Sequence, residues 1–524
     1  MDGPGAEGRG TRAAPEEPQG EPRGGGTPLV VDLDGALARA NLSRESALGL
    51  VSRALPEAVR RLVPLAALWR GRGRAAVKAA LADLVRPDPA LLPWRPETLD
   101  LIREARAQGR RTVLVSSADA RLVRAAADHL GLFDEAHGSD GRRDLAGGAR
   151  AAFLAARFGP GGFDYVGDAA EDLPVWAVAR RVVTVAAPPA LVRAVEAQAG
   201  ARADGPPDPR TPLHLAPPPG GAARLGPWLR AVRPHQWSKN LLVFAPLLAE
   251  HRMDAMGWSA AALTFLAFCL AASSAYLLND LLDLEADRAH PDKRRRPFAA
   301  GELGTGAGGI AAALLLAGAL AAAGAASAMA LGVTAFYYGA TLLYSLALKR
   351  ELVIDICVLA GLYSLRVIAG AVAVGSTPSP WMLAFCTFLF LSLAAMKRQT
   401  ELVGLPPSAP SETLDTPAER RAAGRAYRAE DLPVVTMMAI AAGYTAVLVL
   451  ALYIYTPGVR ALYAMPLFLW GAPPILLYWI SRMVMIAHRG GMPSDPVLFA
   501  LRDRVSLACA AGTLAAAAVA DRGL

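Results

Sequence analysis

The stretch Asn279-Asp280-Leu281-Leu282-Asp283-Leu284-Glu285-Ala286-Asp287-Arg288 directly follows an apolar run, Trp258 to Leu278, that is long enough to cross a bilayer. Its three aspartates are spaced i, i+3 and i+7, which places them within roughly 80° of each other on one helix face. Like charges on one face repel unless a cation lies among them. Hard carboxylate oxygens without Cys or His ligands predict Mg²⁺, completed by substrate phosphates. The alternative is a solvated charged helix end at the membrane surface.

The composition predicts a soluble part followed by a polytopic membrane part. The chain has 524 residues, of which 53% are hydrophobic, and the apolar runs of spanning length fall within residues 237–520. The net charge of +8 is spread over a few loops and gives no case for nucleic acid binding. The four cysteines all lie in the predicted spans and form no metal or disulfide pattern.

Changes in composition along the chain predict four segments. We expect a disordered low-complexity tail over residues 1–26, an α/β domain over 27–198, a Pro/Gly/Ala-rich linker over 199–227 and a transmembrane domain over 228–524. The first residues lack the apolar core of a signal peptide, so we expect the α/β domain to stay in the cytoplasm.

Apolar β-type runs alternate with helical patterns in the α/β domain. Four strands are predicted, at residues 28–35, 111–117, 163–168 and 182–185, with a mostly helical stretch from about residue 43 to 84. This alternation predicts a parallel sheet with helices on both faces, and its ligand site should lie at the carboxyl ends of the strands. The polar side chains expected there are Asp32, Asp34, Ser116, Asp168 and Asp172.

These residues resemble the motifs of the haloacid dehalogenase superfamily of phosphohydrolases, with the helical stretch as cap. The resemblance implies Asp32 as nucleophile, Asp34 as general acid/base and Ser116 as phosphate ligand. It also implies that Asp168 and Asp172, with the first two aspartates, surround Mg²⁺. The segment 138–147 lacks the family's lysine, which Arg143 or Arg150 would have to replace. An active phosphatase and a degenerate domain kept for folding or docking both stay open.

The C-terminal part predicts an all-α bundle of about nine transmembrane helices. The expected spans are 239–250, 258–278, 306–323, 328–346, 353–375, 381–396, 433–455, 462–481 and 500–520. Trp228 and Trp237 suit the headgroup level before the first span. Basic residues concentrate in alternate loops, so we expect a multi-pass inner (plasma) membrane protein whose N-terminal domain and aspartate run face the cytoplasm.

A second set of polar residues lies in or near the spans, where ionisable groups are costly and therefore suggest function. Tyr344, Lys349, Asp355, Arg366, Lys397 and Arg398 make up this set. We expect them to form one polar cavity with the aspartates, although snorkelling explains Lys397 and Arg398 as well. Arg233 and Lys239 are either interfacial anchors or phosphate ligands.

Asn279-Asp280-x-x-Asp283-x-x-x-Asp287 and Tyr344-x-x-x-x-Lys349 look like the motifs of the UbiA-type intramembrane prenyltransferase superfamily, over residues 225–520. The segments 233–240, 285–297 and 500–504 are similar to its polyprenyl-phosphate phosphoribosyltransferase branch. That resemblance implies phosphoribosyl diphosphate as donor and a polyprenyl phosphate lipid as acceptor. Asp280 and Asp283 would hold Mg²⁺ on the leaving diphosphate, with Asp287 beside them. The expected substrate ligands are Asn279, Arg288, Lys293, Arg294, Arg296, Arg233, Lys239, Tyr344, Lys349, Arg366, Lys397 and Arg398.

Other functions remain open on the sequence alone. A fused hydrolase-like domain suggests a second step that removes the 5-phosphate from the lipid product. An aromatic prenyltransferase of the same fold, using an isoprenyl diphosphate, would have a similar metal site. The membrane domain could also serve only as an anchor or lipid carrier for the phosphatase. The sequence leaves the lipid length and the formation of a homo-oligomer undecided.

Overall fold

The computed structural model describes residues 26–53, 55–200, 212–216, 225–250, 254–404, 427–461, 463–493 and 495–522. Apart from Gly26, the predicted disordered tail lies outside the described residues, as does most of the predicted linker. The chain divides into two compact units: Met1–Ser43 with Pro64–Pro218, and Arg44–Val63 with Pro219–Leu524. The helical stretch after the first strand therefore contributes to both units.

The first unit contains a parallel sheet with two more strands than the sequence predicts. Its six strands are β1 Leu29–Asp32, β2 Thr112–Asp119, β3 Glu135–Ser139, β4 Asp164–Gly167, β5 Arg181–Val185 and β6 Leu213–Leu215. They lie in the order β3-β2-β1-β4-β5-β6, and every neighbouring pair is parallel. The sixth strand lies in the stretch predicted as linker. Its three residues are too few to produce a recognisable alternating pattern.

Helices cover both faces of this sheet. The helices of the N-terminal part are α1 Leu42–Arg53, α2 Leu55–Leu84, α3 Pro96–Ala107, α4 Ala120–Leu130, α5 Gly147–Phe158, α6 Leu173–Val178 and α7 Pro189–Gly200. Successive strand residues point to opposite faces, so Val31 packs into one core with Leu114 and Ile102, and Val30 into the other with Tyr165. The predicted α/β class is therefore confirmed.

The second unit is a helical bundle, as predicted. After α8 Leu225–Val232, a 3₁₀ helix over Pro234–Phe244 leads into α9 Ala245–Ala249. The remaining helices are α10 Ala255–Leu282, α11 Leu284–Ala289, α12 Thr305–Ala326, α13 Ala328–Leu346, α14 Ile354–Ala373, α15 Pro380–Val403, α16 Leu432–Tyr455, α17 Pro457–Arg460, α18 Ala472–His488, α19 Pro496–Ala500 and α20 Arg504–Arg522. Among the described residues, eight helices are long and apolar enough to cross a membrane.

The difference from the expected nine spans lies at residues 239–250. These residues form the end of the 3₁₀ helix and the short α9, so they are not one of the eight long helices. A 3₁₀ helix rises about 2.0 Å per residue, so its 11 residues extend about 22 Å and α9 adds about 7 Å. This total is close to the roughly 30 Å of a bilayer's hydrocarbon core.

A glycine on α14 allows the 3₁₀ helix to approach closely. A Cβ at Gly370 would lie 1.9 Å from the carbonyl oxygen of Val243. No larger residue fits there without moving the backbone, so this glycine sets the distance between the two elements. The contact fixes the part of the chain that carries Lys239 and Asn240, two polar residues of the bundle interior.

Candidate active sites

Three carboxylates meet at the carboxyl edge of the sheet in the first unit. Asp32 ends β1, Asp168 follows β4 directly, and Asp172 ends the next short 3₁₀ turn. One oxygen from each lies within 4.8 Å of the others. Among the described Asp, Glu, His and Cys residues, this is the one group of three or more that meets that distance.

The surroundings of these carboxylates fit a divalent cation. Asp32 Oδ1 and Asp168 Oδ1 are buried and make no hydrogen bond to any described residue. Burial raises the pKa of Asp32 well above its usual value, and it raises that of Asp168 to about 7, because desolvation penalises the charged form. Unpaired hard oxygens of this kind are typical ligands of Mg²⁺.

Arg150 on α5, one of the two arginines predicted as a replacement for the family's lysine, contacts the predicted nucleophile Asp32. Its Nη1 donates to Asp32 Oδ2 at 2.9 Å, to Asp172 Oδ1 at 2.9 Å and to the Tyr165 hydroxyl at 2.6 Å. Arg150 is 2% exposed, so this pairing compensates buried carboxylate charge. Arg143, the other candidate, is exposed, and its guanidinium lies over the Phe153 ring.

Asp34 and Ser116 are joined directly. Ser116 Oγ donates to Asp34 Oδ2 at 3.0 Å, and the Leu42 amide donates to Asp34 Oδ1 at 2.9 Å. Gly35, which directly follows Asp34, lies so close to Asp168 that no side chain fits at this position. Gly35 has φ of +88°, and a Cβ there would lie 2.1 Å from Asp168 Oδ2.

The structure adds Lys78 on α2, which the sequence analysis missed. Its Nζ donates to the Ser117 carbonyl oxygen and to Asp144 Oδ1, both at 2.7 Å. Ser117 follows the predicted phosphate ligand, so a cation from the helical insert lies one residue from that position. The family's lysine is expected in the segment 138–147, and nothing in the sequence pattern of α2 singles Lys78 out.

In the second unit, the aspartate run does not form the continuous helix face that its spacing predicts. Helix α10 ends at Leu282, and Asp283 adopts φ −90° and ψ 13° before α11 begins. Asp280 and Asp287 are buried, whereas the Asp283 side chain is 33% exposed. The oxygens of the three do not come within 4.8 Å of one another. The three carboxylates thus do not converge on one point, and their role as metal ligands stays a prediction.

Two arginines bind the buried pair of carboxylates. Arg233 Nη2 donates to Asp280 Oδ1 at 2.6 Å. Arg296 Nη1 donates to Asp280 Oδ1 at 3.2 Å and to Asp287 Oδ2 at 2.7 Å. Burial raises the pKa of Asp287, and Arg296 opposes that shift. Asp280 Oδ2 remains buried with no hydrogen bond to any described residue, so the cluster keeps one oxygen available to a further cation.

Asp283 pairs instead with the lysine of the second motif. Lys349 Nζ donates to its two carboxylate oxygens at 3.2 and 3.1 Å. Both side chains line a cleft. The other residues lining it are Ser52, Asn279, Leu282, Ser345, Leu346 and Arg350. The structure thus brings Asn279, Asp283 and Lys349 together, as the motif spacing predicts.

Three further basic residues that are predicted as phosphate ligands lie on α11 and on the turn that follows it. Arg288 forms a two-pronged ion pair with Glu45, with both nitrogen–oxygen distances at 2.8 Å. The Lys293 and Arg294 side chains are exposed on a short 3₁₀ turn, Lys293–Arg295. Arg288 is therefore held by the protein, and the loop residue that reaches the aspartates is Arg296.

Another ion pair involves the 3₁₀ helix Pro234–Phe244, which contains Lys239. Lys239 binds the Asp495 carboxylate, and its ammonium lies 5.8 Å from the centre of the Tyr363 ring. Burial by itself raises the pKa of Asp495, but Lys239, Lys397 and the Leu498 amide together lower that pKa below its usual value. The sequence analysis missed Asp495, since a lone aspartate before a proline is typical of a helix N-cap.

The remaining basic residues of the spans are paired within the protein. Arg366 donates to Asn240 Oδ1 and to the Tyr337 hydroxyl, each at 2.8 Å. Arg398 binds the carboxylates of Asp355 and Glu401. Both arginines are thus held by contacts within the protein, and their contact with substrate stays a prediction. Tyr344 packs partly buried against the core of α10, α13 and α14, and Lys397 exerts its charge on Asp495.

Comparisons with known proteins identify two families in different parts of the chain. The haloacid dehalogenase-like hydrolase family model matches residues 29–176, and the UbiA prenyltransferase family model matches residues 242–406. The uncharacterized protein y4nM of Sinorhizobium fredii is 36% identical over 486 residues, covering 91% of this chain and 88% of that protein.

Two further relatives match a smaller share of the chain. The nodulation protein NoeC of Azorhizobium caulinodans is 37% identical over 295 residues, covering 54% of this chain and 90% of that protein. The decaprenyl-phosphate phosphoribosyltransferase of Mycolicibacterium smegmatis is 42% identical over 179 residues, which cover 33% of this chain and 56% of that protein.

Proposed function

The chain belongs to the UbiA prenyltransferase family, with a haloacid dehalogenase-like domain on its N-terminal side, and we propose that it transfers 5-phosphoribose from phosphoribosyl diphosphate to a polyprenyl phosphate. The observation that carries the proposal is the cluster of acidic and basic side chains at the end of α10. A relative named decaprenyl-phosphate phosphoribosyltransferase, 42% identical over 179 residues, supports this choice of substrates.

The charges of the cluster suit a diphosphate that arrives with its metal. Asp280, Asp283 and Asp287 are paired with Arg233, Arg296 and Lys349. When a diphosphate binds, its negative oxygens compete with the carboxylates for the three basic side chains. The aspartates then become available to a cation, which must replace the lost positive partners. This exchange explains how one set of residues holds together without substrate and still binds a metal–diphosphate pair.

Magnesium fits the donor set because all candidate ligands are hard carboxylate oxygens. Asp280, whose Oδ2 is unpaired, and Asp283 would hold it, with Asp287 beside them. When bound, Mg²⁺ neutralises charge on the departing pyrophosphate. Arg233, Arg296 and Lys349 orient the donor by binding its phosphates.

The transfer itself requires no general base. An oxygen of the lipid phosphate, which is already ionised, forms a bond to the anomeric carbon of the ribose. The bond between that carbon and the diphosphate oxygen breaks, and pyrophosphate leaves with the bonding electrons. Two anions must approach each other, so positioning and charge neutralisation by Arg233, Arg296 and Lys349 supply most of the acceleration.

We further propose that the hydrolase-like unit removes the 5-phosphate from the lipid product. An Asp32 oxygen attacks the phosphorus, the ester bond to the ribose breaks, and Asp34 gives the departing oxygen a proton. A water oxygen then attacks the phosphorus and gives its proton to Asp34, the bond between Asp32 and the phosphorus breaks, and inorganic phosphate leaves. Ser116 and Arg150 hold the phosphoryl oxygens and the nucleophile, and Asp32, Asp168 and Asp172 would hold Mg²⁺. An inert hydrolase domain is the competing proposal.

We place both reactions at the cytoplasmic face of the inner membrane. The basic loops that alternate along the bundle support this orientation by the positive-inside rule. Phosphoribosyl diphosphate is a soluble anion, so a donor site open to the cytoplasm is consistent with its supply.

Purified full-length protein with Mg²⁺, ribose-labelled phosphoribosyl diphosphate and a polyprenyl phosphate tests the transfer. We expect label in the lipid, and a loss of about 100-fold or more in Asp280→Asn, because that change removes charge from the proposed metal site. Asp292→Asn, an exposed residue of the same loop, is the matched control and should keep the wild-type rate. Label that persists in Asp280→Asn contradicts the proposal. Activity only with an isoprenyl diphosphate and an aromatic acceptor would establish the alternative.

A further inference from the structure

One segment of the hydrolase-like sequence belongs structurally to the transferase unit. The hydrolase family model spans residues 29–176. Within that range, Arg44–Val63 groups by its contacts with the second unit, together with Pro219–Leu524. Most of helix α1 lies in this segment. The segment therefore has to be considered as part of the membrane enzyme's own structure.

Three residues on α1 contact the transferase unit from one helix face. Glu45, Leu48 and Ser52 follow the spacing i, i+3 and i+7, which places them on the same side of a helix. Such a pattern is typical of a helix packed along one stripe. Glu45 forms an ion pair, Leu48 makes apolar contacts, and Ser52 lines a polar cleft.

The ion pair is buried and specific. Glu45 accepts from both terminal nitrogens of Arg288 at 2.8 Å, and the side chains are 5% and 6% exposed. The two residues are 243 positions apart in the sequence. A two-pronged pair of this geometry fixes the orientation of the guanidinium as well as its charge.

Arg288 connects this pair to the proposed donor site. It directly follows Asp287 on α11, and its Nε donates to the Ala299 carbonyl oxygen at 3.1 Å. The loop that ends near Ala299 also carries Arg296, which binds Asp280 and Asp287. Arg288 thus connects α11 to the loop through the Ala299 carbonyl oxygen, and its ion pair with Glu45 connects α1 to both.

The other two contacts lead to the same place. Leu48 packs against the cluster that contains Leu281, Leu284 and Phe298, at the junction of α10 and α11. Ser52 lines the cleft that also contains Asn279, Asp283 and Lys349. Contacts of α1 therefore surround the break between α10 and α11, where the aspartate run lies.

We propose that helix α1 contributes to the transferase site: Glu45 positions Arg288, and with it Asp287 and the Arg296 loop, and Ser52 lies beside the Asp283–Lys349 pair where the diphosphate would bind. This inference rests on the proposed function of the same site. It makes a helix from within the hydrolase-like sequence necessary for binding a diphosphate at the membrane unit. Glu45 is a positioning residue, because its carboxylate acts through Arg288.

The test measures binding of Mg²⁺–pyrophosphate to full-length protein by calorimetry. We expect Glu45→Gln to weaken binding at least tenfold, measured well below its melting temperature because the loss of a buried ion pair also lowers stability. The reversed pair Glu45→Arg with Arg288→Glu should recover part of the binding. Ser52→Tyr should weaken binding, because the larger ring would occupy the space beside Asp283 and Lys349. Glu104→Gln, an exposed change on α3, is the control.

Wild-type affinity in both Glu45→Gln and Ser52→Tyr would overturn the inference. If Glu45→Gln fails to fold, Ser52→Tyr decides alone, since it leaves the ion pair intact. Pyrophosphate is the leaving group of either candidate donor. A wild-type protein that binds pyrophosphate but transfers no phosphoribose would therefore refute the proposed substrate. The binding measurements on the variants would still test the role of α1.

Discussion

At the scale of single residues, Arg150 decides whether the hydrolase-like unit can work without the usual lysine. One nitrogen, Nη1, makes all three of its contacts to Asp32, Asp172 and Tyr165. A point charge at that position would meet the same three acceptors, and it would lose the bond that Arg150 Nε donates to the Leu145 carbonyl oxygen at 3.2 Å. This geometry favours an active phosphatase over a domain kept only for folding.

We expect Arg150→Lys to retain phosphate release from the 5-phosphorylated lipid within about tenfold. Arg150→Met should abolish release and lower the melting temperature, because losing one partner of a buried ion pair costs about 3–5 kcal/mol. Arg143→Met, at an exposed neighbouring arginine, serves as control. Equal loss in the lysine and methionine variants would show that the guanidinium itself is required.

The raised pKa of Asp168, about 7, predicts how magnesium binding depends on pH. Below pH 7 the carboxyl is protonated, and Mg²⁺ must displace that proton. The apparent affinity of the hydrolase site for Mg²⁺ should therefore fall at least about tenfold per pH unit below 7. The raised pKa of Asp32 acts in the same direction.

Calorimetric Mg²⁺ titrations at pH 6 and pH 8 check this expectation. The titrations use the Asp280→Asn protein, because this change weakens Mg²⁺ binding at the proposed site of the membrane unit. Asp168→Asn should bind Mg²⁺ weakly at both values. An affinity of the parent protein that is the same at pH 6 and pH 8 would contradict the role of Asp168 as a ligand.

At the scale of elements, strands and their ends were predictable where side chains are buried on both faces. The apolar runs of β1, β2, β4 and β5 are sufficient to predict these strands. Because the strands are parallel, their carboxyl ends lie at the same edge of the sheet. The strand β3, with the sequence Glu135 to Ser139, has no such pattern, because it lies at the sheet edge. Local sequence alone therefore predicted the carboxylate positions better than it predicted the complete sheet.

The aspartate run shows why helical spacing is not enough to predict a site. The i, i+3, i+7 pattern assumes one straight helix, and the chain breaks at Asp283. Lys349 lies against that residue, and Arg296 bridges the other two carboxylates. Those basic partners come from loops remote in sequence, so their positions depend on tertiary packing and could not be read from the motif.

At the scale of the whole molecule, two families of enzyme are joined in one chain. The N-terminal domain and the bundle were both predictable, because each has a strong compositional signal and its own motifs. The contribution of residues 44–63 to the second unit was not, since the pairing of Glu45 with Arg288 links positions 243 residues apart. A simple division at the predicted linker overlooks this segment.

The most direct test of the whole account is the mass of the lipid formed from a polyprenyl phosphate and phosphoribosyl diphosphate. The full-length Asp32→Asn protein should accumulate the 5-phosphoribosyl lipid. The wild type should give the same lipid lighter by one phosphoryl group, and Asp128→Asn, an exposed change on α4, should match the wild type. A phosphorylated product from all three proteins would refute the second step. No ribose-bearing lipid from any of them would contradict the transfer itself.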